Sequence, residues 1–190
     1  MNVDEELRKI KEEVLACKKC PLFKERITPV IGQGSHSSKI MFIGEAPGAK
    51  EDATGVPFCG RSGDFLNELL SFIGIKREDV YICNIVKCRP PKNRDPNDLE
   101  ISSCKNYLER QIELINPKII CSLGRYSMQF MMNNLGLLNE IEPIGKIHGK
   151  VFNKEGRVFI PFYHPAVAIY NSNMKDSLKK DFEKIKEYVD

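Results

Sequence analysis

Lys39-Ile-Met-Phe-Ile-Gly44-Glu-Ala-Pro-Gly48 joins an almost wholly apolar run to an abrupt Gly- and Pro-rich turn. A short run with no polar face is the pattern of a strand covered on both sides, as in a parallel sheet. Working outward, the pattern recurs at Val80-Tyr-Ile-Cys-Asn-Ile-Val86 and at Lys118-Ile-Ile-Cys-Ser-Leu-Gly124, and Val151-Phe152 and Arg157 to Tyr163 read as further strands. Helical spacing fills the gaps. Leu7, Ile10, Val14 and Leu15 predict a helix over residues 4–16. Phe65, Leu66, Leu69, Leu70 and Ile73 predict a second, closed by Gly74. Asp95-Pro96 reads as an N-cap and first-turn pair opening a third, which stops before Asn116-Pro117. Residues 125–135 form another, and Met174, Leu178, Phe182, Ile185 and Val189 give a closing amphipathic helix. Strands separated by helices of this length imply right-handed crossovers and an α/β fold with a parallel sheet. Ligands in such folds bind at the carboxyl ends of the strands, which selects the segments after Gly44, Val86, Gly124 and Tyr163.

The chain has 190 residues, 42% of them hydrophobic, which excludes disordered and collagen-like classes and fits a single domain spanning 1–190. No apolar run approaches the roughly 20 residues of a membrane span. The acidic start has no apolar h-region, so a cytoplasmic protein is expected. Twenty-nine basic against 26 acidic side chains leave a net charge of +3, too weak to name a partner. Seven cysteines, an odd number in a reducing compartment, point to metal, catalysis or packing.

Four cysteines fall into pairs. Cys17-Lys-Lys-Cys20 ends the first helix, and Cys88 follows a strand with Cys104 fifteen intervening residues later. Together they suit a [4Fe–4S] cluster or structural zinc, while buried hydrophobic thiols are the plainer reading. Cys83 and Cys121 read as core, and Cys59 is open. Gly44-Glu-Ala-Pro-Gly48 brings backbone N–H groups to the sheet edge but lacks the pattern of a nucleotide-phosphate loop. Pro57-Phe-Cys-Gly-Arg-Ser-Gly63 sets Phe58 between small residues, either as a platform for a planar ring or as a plug at a helix entry. His164, in Phe162-Tyr-His-Pro-Ala166, is the one histidine of three that follows an apolar strand at the site-bearing end. Lys87, Arg89, Lys92 and Arg94 form a basic loop, and residues 146–157 a second basic stretch. Solvated charge is their default reading. A shared face would suit nucleic-acid phosphates.

Cys17-x₂-Cys20, Gly44-Glu-Ala-Pro-Gly48, Pro57-Phe58 with Gly60-Arg-Ser-Gly63, Asn84, Cys88-x₁₅-Cys104 and His164-Pro-Ala166 occur in one order across almost the whole chain. In this the sequence resembles the family 4, iron–sulfur uracil-DNA glycosylases. The resemblance implies a three-layer α/β/α sandwich with a central parallel four-stranded sheet. It implies a structural [4Fe–4S] cluster on Cys17, Cys20, Cys88 and Cys104. It further implies a monomer acting on uracil-containing DNA, single- or double-stranded. The flipped uracil would meet Gly44, Glu45, Ala46, Phe58, Asn84 and His164, with Phe58 stacking and Asn84 reading N3–H and O4. His164 and Glu45 would be catalytic, His164 donating to O2 and Glu45 serving the water or the sugar cation, with Glu51 and Asp52 as substitutes. Backbone phosphates would fall to Lys87, Arg89, Lys92 and Arg94, and a wedge to Val167-Ala-Ile-Tyr170. The reaction expected is hydrolysis of the N-glycosidic bond, leaving an abasic site, with no lyase step. A catalytically silent DNA-binding module on the same scaffold is the alternative, and a small zinc or redox protein working through Cys17 and Cys20 a third.

Overall fold

The computed structural model describes residues 2–189. In chain order the elements are α1 (Val3–Ala16), β1 (Gln33–Gly34), β2 (Ile40–Gly44), α2 (Ala49–Thr54), α3 (Arg61–Phe72), β3 (Tyr81–Asn84) and α4 (Asp98–Ile115). They continue with β4 (Ile119–Leu123), α5 (Arg125–Asn134), α6 (Ile144–Ile147), β5 (Phe152–Lys154), β6 (Arg157–Phe162), α7 (Val167–Tyr170) and α8 (Met174–Glu183). Among the described residues these strands form one sheet in the order β1-β3-β2-β4-β6-β5. The four central strands β3-β2-β4-β6 run parallel, as expected, and the two short edge strands pair antiparallel.

Strand alternation divides the core. Met41 and Ile43 of β2 face Ile10 and Val14 of α1 and Leu108 and Ile112 of α4 in one layer. Ile40 and Phe42 face the other layer, with Leu66 and Leu69 of α3 and Leu178 and Phe182 of α8. Both faces of the parallel strands are therefore covered by helix, which is why the run 40–43 has no polar side. The strand order reverses at β2, since β3 lies on one side of it and β4 on the other. The loops after β2, β3 and β6 open onto one end of the sheet. No helix among the described residues is long and apolar enough to cross a membrane.

Two local expectations change. The cap of α4 is Asn97, not Asp95. Its side chain accepts the Glu100 N–H at 3.0 Å, and the Glu100 carboxylate accepts the Asn97 N–H at 2.9 Å. This reciprocal box satisfies two end donors at once, which Asp95 two residues upstream cannot do. Asp95 instead accepts a hydrogen bond from the Tyr126 hydroxyl. The second basic stretch is also split between the two ends of the sheet: Gly145 and His148 pack against Tyr163, just past the end of β6. Lys154 and Arg157 sit at the opening turn into β6, at the far end of the parallel strands, where Arg157 donates to Asn116. Lys146 and Lys150 share Glu142, and His148 pairs with Asp181.

Asn97→Ala removes one half of the α4 box and should cost about 1 kcal/mol of stability. Urea unfolding checks this: the midpoint should fall with its slope unchanged.

Candidate active site

The end of β2 is the anchor. A Cβ on Gly44 would lie 2.3 Å from Asn84 Oδ1 and 2.8 Å from the Phe58 ring, so only glycine lets strand, ring and carboxamide meet. Phe58 is buried and takes the left-handed conformation, φ 47°, unusual for a residue with a side chain. Two contacts impose it. Glu51 Oε1 accepts the N–H groups of Cys59 and Gly60 at 3.0 and 3.1 Å. Gly63 lies under the Phe58 carbonyl, where a Cβ would come within 1.7 Å of the oxygen. The spacing Gly60-x-x-Gly63 thus starts α3 directly against the ring's backbone.

Asn84 ends β3 with 2% exposure, and its Oδ1 finds no hydrogen-bond partner among the described residues. Buried side-chain acceptors are nearly always satisfied, so this one marks a place for an incoming donor. His164, two residues past β6, stacks on Phe58 with ring centroids 5.6 Å apart and planes 28° apart. Its Nδ1 accepts the Ala166 N–H at 3.1 Å, which leaves the ring proton on Nε2. Burial pushes the imidazole down to about 4, with the Glu51 charge opposing, so near neutral pH it is an uncharged donor. Burial raises Glu45 to about 7, with the Asp95 charge adding to the shift and Arg125 opposing it.

These residues share one cleft. Glu45, Ala46, Glu51, Phe58, Asn84 and His164 line a volume of about 390 Å³ at the carboxyl end of the sheet. Glu45, Ala46, Phe58, Asn84 and His164, which lie as far apart as 119 positions in sequence, are thus brought together. The segment expected to supply a wedge forms α7, in which Ala168 is buried and Tyr170 is the most exposed side chain.

The basic loop divides. Lys87 is fully buried, with its side chain turned into the protein, so it is not a phosphate contact. Its Nζ donates to the Asn84 carbonyl at 2.9 Å and to Gln111 Oε1 at 2.7 Å. Arg89 is half-buried and donates to Asn93, and Lys92 is exposed. Arg94 is exposed at the cleft rim, with its guanidinium forked onto Glu100 at 2.6 and 2.9 Å.

On the other side of residues 84–88 lies a second cavity. Cys17, Cys20, Cys88 and Cys104 all line it. Cys88 Sγ accepts from Arg26 Nη1, and Cys104 Sγ accepts the Lys87 N–H, each at 3.3 Å. Burial raises the thiols of Cys20, Cys88 and Cys104, the last to about 11. Holding them as thiolates takes positive charge, which a metal centre supplies. Among the described residues no three His, Cys, Asp or Glu side chains gather closely enough for a single metal ion; the four thiols are set around the cavity walls. Cys83 and Cys121 are fully buried in the core, as read, and Cys59 lies half-buried with Sγ 3.3 Å from Thr54 Oγ1.

Sequence reasoning missed three participants: Glu51 as the brace of the Phe58 turn, Arg26 as a donor to Cys88, and Gln111 beneath Asn84. Only Glu51 had a signal, since it stands among acidic residues just after the glycine loop.

Residues 31–189 match the family model of the uracil DNA glycosylase superfamily. The type-4 uracil-DNA glycosylase of Sulfurisphaera tokodaii is 46% identical over 95% of this chain and 84% of its own length. That of Archaeoglobus fulgidus is 44% identical over 96% and 93%, and that of Thermotoga maritima 41% identical over 100% and 98%. A match over most of the chain, with identity above 40% along nearly all of it, settles the family: the chain belongs to the type-4 group of the uracil-DNA glycosylase superfamily.

Proposed function

We infer that this chain excises uracil from DNA by hydrolysing the N-glycosidic bond, leaving free uracil and an abasic site. The observation that carries the reading is the unpaired Asn84 Oδ1 beside the Phe58 ring, in a cleft that also holds an uncharged His164. A base inside a duplex presents neither face nor glycosidic bond, so the nucleotide must be extruded into the cleft. Phe58 stacks on it. Uracil N3–H then satisfies Asn84 Oδ1. With the carboxamide held in this orientation, cytosine, which has no proton at N3, would leave that acceptor buried and unpaired, at a cost of about 1–3 kcal/mol. Phe58 lies across the space above Gly44, which confines the base edge to the Asn84 side.

Cleavage leaves negative charge on the departing uracil and positive charge on the sugar. The Nε2–H of His164 is fixed by the Ala166 contact and needs no proton from solvent. It is suited to donate to O2 as charge develops there. Glu45, ionised above about pH 7, is the nearest fit to the sugar cation or the attacking water. Ala46 and Gly44 supply backbone rather than side chain around the base. Arg94 at the rim and the exposed Lys92 would meet backbone phosphates, with the half-buried Arg89 beside them. Lys87 would not.

Membership of the type-4 group implies an iron–sulfur cofactor. Cys17, Cys20, Cys88 and Cys104 would hold it as a [4Fe–4S] cluster. The support is that all four line one cavity, with N–H donors from Arg26 and Lys87 already on two of the sulfurs. Bound there, the cluster would cross-link α1, the turn after β3 and α4, a structural service rather than a catalytic one.

An oligonucleotide carrying one uracil, treated with alkali after incubation, reads the reaction as strand scission at the abasic site. Wild type should release uracil, and His164→Ala should be slower by about 10²–10³, the usual cost of one such donor. A cluster-loaded wild type that binds uracil DNA without release would favour the silent binding module instead.

The pH dependence separates the two acids. Protonation of Glu45 as pH falls through about 7 should slow single-turnover release, while His164, uncharged down to about 4, should contribute nothing there. In Glu45→Gln that limb should vanish, leaving a low and flat profile. A wild-type limb persisting in the variant would contradict the role given to Glu45.

A further inference from the structure

Lys87 is among the largest fully buried side chains in the protein, and uracil excision as described makes no use of it. A lysine is rarely sealed in a core unless acceptors hold its nitrogen. Here two do: the Asn84 carbonyl and Gln111 Oε1. Gln111 is itself fixed, since its Nε2 donates to the Ile31 carbonyl and the Tyr81 hydroxyl, both at 3.0 Å. The backbone of Lys87 is held as firmly. Its N–H donates to Cys104 Sγ at 3.3 Å, and its carbonyl accepts the Val30 N–H at 2.7 Å.

The sheet explains why such a prop is needed. After Asn84 the chain still bonds to β2, through Ile85 N–H to Gly44 and Val86 N–H to Glu45. On its other side, β1 pairs only with Tyr81 and Ile82. The Asn84 carbonyl lies past the end of that edge strand. Lys87 Nζ occupies the place a neighbouring strand's N–H would otherwise fill.

We propose that Lys87 is the positioning residue for Asn84: its buried side-chain nitrogen, braced by Gln111, fixes the end of β3 and so the placement of the uracil-reading carboxamide. The inference rests on the reading of Asn84 given above. It also accounts for the residue's location between the two cavities. Through one N–H to Cys104 and one Nζ contact to Asn84, Lys87 ties the cysteine site to the base site. Misplacement of a recognition group by about 1 Å can cost about 10²-fold.

The test compares Lys87→Met, Gln111→Met and Asn84→Ala with wild type, each purified with its iron–sulfur group. Three quantities are read: visible absorbance of that group, inhibition by free uracil, and affinity for a uracil-free duplex. Lys87→Met keeps the apolar stem and loses the donor. It should retain absorbance and duplex affinity while free-uracil inhibition weakens about 10- to 100-fold. Gln111→Met, which leaves Nζ its Asn84 acceptor, should weaken inhibition less. A purely structural role would instead lower duplex affinity and absorbance together with uracil binding, and that result overturns the proposal. Wild-type uracil inhibition in Lys87→Met overturns it too. If Lys87→Met does not fold, Gln111→Met answers alone: selective loss of uracil inhibition supports the proposal, and unchanged or general loss overturns it. Wild-type inhibition in Asn84→Ala would bring down the reading of Asn84, and the role of Lys87 with it. Loss in Asn84→Ala beside an unaffected Lys87→Met would bring down the role of Lys87 alone.

Discussion

The absence of a side chain at Gly44 is the constraint on which the site is built. β2 is central, buried on both faces, and it ends where an ordinary Cβ would collide with both the Asn84 carboxamide and the Phe58 ring. Because that volume is empty, the tip of β3 and the turn before α3 close over the strand end. Phe58 is then forced into a left-handed backbone conformation, which the Glu51 carboxylate and the close packing of Gly63 maintain. Strain of this kind, of order 1–3 kcal/mol, persists only where the surroundings over-determine it. Here the same contacts that impose it place the ring beside His164.

Burial then sets the chemistry. The same desolvation acts in opposite senses on the two titratable groups in the cleft, because it disfavours whichever form is charged. His164 is pushed down and stays a neutral Nε2–H donor, and Glu45 is pushed up to where it titrates near neutrality. In the second cavity burial holds the cysteine thiols up, so only nearby positive charge would favour their thiolates. Residues 84–88 separate the two environments. Asn84 faces one, Cys88 the other, and Lys87 bonds to a residue of each, Asn84 and Cys104.

The strands were legible because runs such as Ile40–Ile43 and Ile119–Leu123 have no polar face, and a helix pattern of that length would be too short. Part of the site was legible through order: Glu45 and His164 each stand where an apolar run ends, and the rule of the carboxyl edge collects them, whereas Asn84 lies inside the run ending at Val86 and is singled out only by the family resemblance. Lys87 was misread for a physical reason. Its neighbours Arg89, Lys92 and Arg94 make a basic string, and nothing in the string reveals that its first member turns inward to a glutamine 24 residues on. The Asn97 cap was missed because Asp95-Pro96 offers the stronger local signal, while the deciding partner, Glu100, is identified only by where its carboxylate reaches. Lys154 and Arg157 could not be told apart from Lys146 and Lys150 in the sequence because charge counts carry no strand direction.

The central claim is that a buried acceptor without a partner among the described residues, Asn84 Oδ1, is completed by the N3–H of uracil. Proton NMR of the protein saturated with uracil labelled with nitrogen-15 at N3 tests it directly. The bound base should give an imino resonance protected from exchange with water, and that resonance should be lost in Asn84→Ala. An N3 proton that exchanges in the wild-type complex as fast as in free uracil would contradict the account.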